Sequence, residues 1–481
     1  MENNQKFKNR EEIVKEIQSR HLILMPDGRE MLLDLKNPEE VKRILDEVGD
    51  EELKAYMLSE ELKGQPKEEP PSIKMMQQHE LIGYEPSSDS GNFSMWPKGN
   101  LIFSLLRDWS HEIAVNRLQA MQIESPVLYD WSDPEIQEQA GSFHERHYIV
   151  KAPDDDKKEF ILRFAADFGL FKIMKKANFS HKMLPVRMYE FSKSFRYEKS
   201  GELSGLKRLR AFHIPDLHCF CKDIPQGWVE YQHLYKEYVN LAKGAGVKYA
   251  VGFRIVEEFY KEHKERLVEL LQYSKRPAFI EVLSKMKHYW AVKNEFQGID
   301  SVGGNMQLVT VQLDVKDAKV YGINYVDSDG SKKGCIICHS SIGSIERWIY
   351  AILEEALKKE KPQLPLWLSP SQIRLIPVNQ AQIEYCKSLK FDGVRIDIDD
   401  SNDSLGKKIA NANKEWIPYV AVIGNKEMES GKLMVNIRED GSKKEFSIVE
   451  LENEIKSKSQ GMPFRPLPVP KLVSQRPIFY G

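Results

Sequence analysis

Between Phe191 and Cys221 the sequence reads FSKSFRYEKSGELSGLKRLRAFHIPDLHCFC. It sets Arg196, Arg208 and Arg210 around a glycine-containing turn and runs on into an apolar stretch with a histidine near its end. Alternation over Lys207–Phe220 predicts the return strand of a strand–turn–strand unit. Side chains repeat every two residues along a strand, so Arg208, Arg210, Phe212, Ile214, Asp216 and His218 are expected on one face. That face offers guanidinium forks for phosphate or carboxylate oxygens, an aromatic platform, a carboxylate and an imidazole able to bind a metal. Such groups are costly to bury without a ligand.

FRYEKSGELSG, RLRAF and PDLHCFC together resemble motif 2 of the class II aminoacyl-tRNA synthetases, in the form found in threonyl-tRNA synthetases. CHSSIGSIERWIYAILEEAL (Cys338–Leu357) resembles motif 3, a strand ending at His339, a glycine turn and a helix carrying Arg347. MQIESPVLYD (Met121–Asp130) is similar to motif 1. The resemblance runs in order from about Leu81 to the C-terminus. It implies a threonine–tRNA ligase that joins L-threonine to tRNA(Thr) using ATP with Mg2+, dimeric through motif 1.

The chemistry so implied needs no enzyme nucleophile. The threonine carboxylate attacks the α-phosphate and pyrophosphate leaves, so catalysis is positioning plus neutralisation of charge. By resemblance, Arg196 bridges the α-phosphate and the threonine carboxylate. Arg208 and Arg347 hold the γ-phosphate end, with Arg347 over the adenine. Glu198 reads the adenine amino group, Phe212 stacks on the ring, Gln312 contacts the ribose side and Asp216 takes the threonine hydroxyl or amine.

The family holds Zn2+ with one cysteine and two histidines, and His218 and His339 fall on the histidine positions. Asp167, in LRFAADFGLF, stands where the cysteine belongs. Aspartate is an acceptable zinc ligand, although it is harder than thiolate and loosens selectivity towards cobalt or manganese. Cys219, Cys221, Cys335 and Cys338 form a rival four-thiol set, but strand alternation turns Cys219 and Cys221 away from His218 and favours buried, apolar cysteines. Two departures stand out. The motif 3 turn is one residue shorter than in the commoner form. The lysine that bacterial members place near the α-phosphate has no clear counterpart in QGIDSVGGNMQ, upstream of TVQLD.

Metal-assisted selection rejects valine, which lacks the hydroxyl, but serine differs only by a methyl worth about 1–3 kcal/mol. Some serine is therefore activated. No hydrolytic cluster is visible ahead of the catalytic block, and editing by a separate protein is expected. Towards the C-terminus, KEMESGKLMVNIRED (Lys426–Asp440) resembles the family's anticodon-reading strand pair, with Glu429 and Arg438 at base-reading positions.

The elements that must carry these residues follow from composition and pattern. The chain has 481 residues, 41% hydrophobic and 30% charged, and a formal charge of −2, so nucleic-acid contact must rely on local patches. No stretch is apolar enough to span a bilayer, no signal peptide is visible and the five cysteines are odd in number, all of which suits the cytoplasm. The expected organisation is a small appendage over 1–63, a linker over 64–71, a catalytic domain over 72–361 and an anticodon-binding domain over 362–481. In the appendage, a charged helix (10–19) precedes a hairpin turning at Pro-Asp-Gly and a helical stretch, Pro38–Leu62. The fold class is α/β (α+β): an antiparallel catalytic sheet with flanking helices, then a mixed-sheet domain. The alternatives are a non-catalytic synthetase paralogue that binds tRNA, or a seryl- or prolyl-type class II enzyme.

Overall fold

The computed structural model describes residues 17–64, 68–140, 146–155 and 157–480. They divide into two compact units, one of residues through 68, 110–243 and 247–348, the other of 69–109, 244–246 and 349–481. Residues 72–109, expected in the catalytic block, thus pack with the C-terminal part of the chain. No described helix is long and apolar enough to cross a membrane.

A ten-stranded sheet forms the first unit. In chain order its strands are β1 (Ser19–Leu24), β2 (Glu30–Leu33), β3 (Met121–Gln122), β4 (Val186–Phe195), β5 (Ala211–Cys221), β6 (Ala250–Val256), β7 (Ala278–Leu283), β8 (Trp290–Ile299), β9 (Asn305–Asp314) and β10 (Ile336–Ser341). They lie side by side as β2-β1-β7-β6-β8-β9-β10-β5-β4-β3, with only the β6–β7 and β3–β4 neighbours parallel.

The hairpin predicted near the N-terminus is β1–β2, and Gly28 takes the left-handed conformation its turn requires. It is no separate appendage, because β1 pairs along β7 and extends the large sheet. The predicted helix over 10–19 lies outside the described residues up to 16, and Ser19 already belongs to β1. Residues 65–67 of the expected linker are likewise outside them.

The return strand of motif 2 starts at Ala211, later than alternation suggested. Arg210 therefore leaves the expected face. Its Nε donates to the Glu198 carbonyl at 2.8 Å, and its guanidinium lies over the Tyr197 ring.

In the second unit a five-stranded mixed sheet is ordered Ile396–Ile398, Ile373–Pro377, Tyr419–Ile423, Lys432–Ile437, Lys443–Ser447. The mixed sheet is as expected, but Lys426–Asp440 is not a strand pair. Asn425–Ser430 is a short helix closed by Gly431 in the left-handed conformation, and the partner of Lys432–Ile437 is Lys443–Ser447.

Candidate active site

Register across the large sheet builds the site. His218 on β5 lies directly opposite His339 on β10, which lies opposite Gln312 on β9, which lies opposite Lys293 on β8. Two residues along, Asp216, Ser341, Thr310 and Glu295 form a second row in the same way. Period-two geometry puts both rows on one face. Above them opens a cleft of about 710 Å³, within the range that holds small ligands. Every residue expected of the threonine, ATP and metal sites lines it: Asp167, Arg196, Glu198, Arg208, Phe212, Asp216, His218, Gln312, His339 and Arg347.

Local structure places the cations. Arg196, just past β4, donates from Nε to the Phe164 carbonyl at 3.0 Å, with its guanidinium carbon 5.2 Å from the Phe212 ring centre. Arg347 stands in the first turn of the helix Ile345–Leu357, whose start is held by the Ser344 hydroxyl accepting from the Arg347 N–H. The chain turns into that helix at Gly343, where φ is +77° and a Cβ would collide with the Leu308 carbonyl oxygen. Arg347 donates to the carbonyls of Gln307 and Lys207 at 2.6 and 3.1 Å. Burial, then repulsion from Arg196 and Arg208, brings its pKa down to about 10. Glu198 is buried and accepts from both Arg146 and Arg208 at 2.9 Å. Burial, then the charge of Asp167, pushes Asp216 well above the usual carboxylate range.

Asp167, His218 and His339 bring ligand atoms within 4.8 Å of one another. Asp167 opens the helix Asp167–Lys176, and its Oδ1 lies 3.2 Å from His218 Nε2. Burial works to raise its pKa, but His218, then His339 and Arg196, together hold it below the ordinary value. The two imidazole rings sit 4.7 Å apart. An ionised carboxylate with two imidazoles is a donor set suited to a borderline divalent cation. His339 Nε2 also meets Asp314 Oδ2 at 2.8 Å, the carboxylate contact that commonly orients a ligating histidine.

Sequence reasoning missed two features. Asp314 and Asp317 form a second close group with His339, and burial, then Asp314, pushes Asp317 up to about 7. Lys293 stands opposite Gln312, a few residues before the stretch searched for a lysine. The signal was strand alternation in WAVKNEFQ, which could be used only once the pairing with TVQLD was known.

The cysteines form no metal group among the described residues. All five are free and buried, Cys219 sits opposite Cys338, and burial keeps both as thiols. In the second unit Glu429 is exposed on its short helix, whereas Arg438 donates to the Pro362 carbonyl at 2.7 Å and to Asn413 at 3.3 Å.

Residues 148–356 match the class II tRNA synthetase core domain shared by the G, H, P, S and T enzymes, and 372–458 match an anticodon-binding domain. The chain is 42% identical to the threonine–tRNA ligase of Pyrococcus furiosus over 97% of its own length and 75% of that enzyme's. It is 45% identical to that of Pyrococcus horikoshii over 86% of the chain and 68% of the relative. Among solved structures, one titled as the RNA-binding domain of threonyl-tRNA synthetase from Cryptosporidium parvum superposes with a TM-score of 0.69 at 22% identity, over 81% of this chain and 98% of that one. Prolyl-tRNA synthetase of the same organism superposes at 0.64 with 17% identity, over 80% of this chain and 73% of its own, which shows a shared fold. The chain belongs to the threonine–tRNA ligases, ATP-dependent class II aminoacyl-tRNA synthetases.

Proposed function

We propose that the cleft divides the work of threonine activation, with Asp167, His218, His339 and Asp216 selecting the amino acid and the flanking arginines binding ATP. The observation that carries this reading is the convergence of Asp167, His218, His339, Asp216, Arg196 and Arg347 on one cleft. The threonine carboxylate forms its bond to the α-phosphorus as the bond to pyrophosphate breaks, and the departing charge passes to pyrophosphate and its Mg2+. Arg196 bridges the carboxylate and the α-phosphate. Lys293, opposite Gln312, serves as the family's α-phosphate lysine. Arg208 and Arg347 take the γ-phosphate end, Phe212 and Arg347 sandwich the adenine, and Gln312 meets the ribose side. Glu198 shares its carboxylate between Arg208 and the adenine amino group.

Asp167, His218 and His339 would hold Zn2+, which supplies a Lewis acid for the amino and hydroxyl groups of threonine. Asp216 accepts from the same groups. The two acids are pushed in opposite directions, Asp216 up by burial and Asp167 down by its histidine and arginine neighbours, which is what buried acids doing different work show.

Transfer then goes to tRNA(Thr), with Glu429 and Arg438 reading the anticodon. For Arg438 this requires exchanging its contacts to Pro362 and Asn413 for a base. A homodimer through motif 1 is supported by exposed apolar side chains within that motif, Met121, Val127 and Leu128, and by Ile149 and Val150 of the small sheet that Leu128–Asp130 joins. Hydrolysis of misacylated seryl-tRNA by a separate protein belongs to the same reading, because the methyl that separates serine from threonine gives only modest discrimination. A cytoplasmic enzyme is part of this reading.

The test is threonine-dependent ATP–pyrophosphate exchange, with serine and valine as rivals, before and after chelation. Threonine should lead, serine should follow by about 10–200-fold and valine should be excluded. Chelation, or Asp167→Ala, should abolish threonine selection. Undiminished threonine activation after both would refute the metal site, and absence of exchange with any amino acid would favour a non-catalytic paralogue.

A further inference from the structure

The N-terminal segment has no part in the chemistry above, yet it reaches the cleft. Met57–Glu61 meets the first residue of β9 through Ser59 and Glu60, and Glu60 lines the cleft wall. Ser59 Oγ donates to Asn305 Oδ1 at 2.9 Å, and Asn305 Nδ2 donates to Glu60 Oε2 at 3.1 Å. Asn305 also reaches Gln297 Oε1 at 3.3 Å, and Gln297 Nε2 donates to Glu295 Oε2 at 3.1 Å. Glu295 Oε1 in turn holds Lys293 Nζ at 2.7 Å. A polar chain therefore connects the N-terminal segment to the lysine opposite Gln312.

Arg254 on β6 decides how Glu295 is shared. Its guanidinium donates to Glu61 at 3.0 Å and to Glu281, while its Nε stands 3.7 Å from Glu295. The Tyr56 hydroxyl fixes Glu61 from behind at 3.0 Å. Glu61 and Glu281 take the close hydrogen bonds of Arg254, so Glu295, which also faces that guanidinium at 3.7 Å, makes its shorter contact, 2.7 Å, to Lys293. If Glu61 is removed, a largely buried guanidinium loses a charged partner, an unfavourable state that is relieved by drawing in the nearest other carboxylate. That carboxylate is Glu295, and Lys293 then loses its anchor.

We propose that Glu61 is a positioning residue for Lys293, acting through Arg254 and Glu295, so that the N-terminal segment is a working part of the ATP end of the cleft. This rests on the reading of the cleft as an ATP site with Lys293 at the α-phosphate. Neighbouring strands alone would carry Lys293 whatever lay at residue 61. The dependence on the N-terminal segment comes from the competition between two cations for one carboxylate.

The experiment is a double-mutant cycle on the full chain, read by threonine-dependent ATP–pyrophosphate exchange. Glu61→Ala should lower kcat/KM for ATP about tenfold, the effect of one charge-assisted contact, and leave the KM for threonine within about twofold. Lys293→Ala should cost more, and adding Glu61→Ala to it should cost nothing further. Glu61→Gln, which still accepts from Tyr56 and Arg254 but carries no charge, should fall between wild type and Glu61→Ala and guards against a folding defect. Multiplying effects in the double variant, or an ATP dependence unmoved by Glu61→Ala and Glu61→Gln, would overturn the proposal. A wild-type chain without threonine-dependent exchange would instead bring down the functional reading, and this inference with it.

Discussion

Arg347 in the first unit lines a cleft and is half-buried, Arg374 in the second is fully buried, and their surroundings push the two guanidinium groups in opposite directions. Arg374 donates to both oxygens of Asp397 at 2.9 Å and to Glu415 at 2.6 and 3.0 Å. Burial works against its charge, but Asp397 and then Glu415 more than offset this and raise its pKa. Arg347 has burial and two like charges against it, and its own donors go to backbone carbonyls. The acids divide in the same way. Asp397 is fully buried but held down by Arg374 and Arg476, while Asp216 is pushed up by burial and by Asp167. A closed ionic network specifies a packed unit. A cleft with crowded arginines is relieved by an anionic ligand, and opposed shifts of this kind mark a site of binding or chemistry.

The largest effect expected from this contrast is on catalysis. Arg196→Ala should lower threonine-dependent exchange by about 10²–10³-fold, with a smaller change in thermal midpoint than the loss of Arg374 brings. A variant that unfolded instead would erase the difference between the two regions.

Next comes stability. Arg374→Ala should destabilise the second unit by about 3–5 kcal/mol in denaturant unfolding, because Asp397 is left buried with one cation fewer. The exchange rate per folded molecule should hold. A loss of exchange larger than the loss of stability would show that this network serves the reaction.

The smallest effect is a pH slope. Burial, then Lys98, lowers the His79 pKa from 6.5 to about 4. Between those values the unfolded chain binds the proton and the folded chain does not, so stability falls as pH drops through this window, by up to about 1.4 kcal/mol per unit. Asp397 adds a further loss below its ordinary 3.8, because its folded pKa is depressed and its contribution, present above that value, disappears as the carboxylate protonates. Acid unfolding followed by the intrinsic fluorescence of Trp416, 4.2 Å from His79 between ring centres, should show the first phase, and His79→Gln should flatten it. A slope unchanged by that substitution would assign the window to other groups.

Much of this was legible beforehand. The motif residues were found in order because they are contiguous in the chain, and the C-terminal part does form the expected mixed sheet. The errors fall where backbone geometry overrides pattern. Arg210 sits in a run that alternates correctly, but β5 begins one residue later and the Glu198 carbonyl captures its guanidinium. Lys293 was missed because its meaning depends on which residue faces it across the sheet.

By itself the sequence determined the residue types that do the chemistry and the face of each strand that carries them, because a period of two is written locally into the chain. Only the tertiary structure decided which of those faces meet. Strand order and register join residues as far apart as Lys293, Gln312, His339 and His218, and they bring the N-terminal Glu60 and Glu61 to the same cleft. Those pairings arise from backbone hydrogen bonding between distant segments and from closing loops over many residues, which a local pattern does not encode.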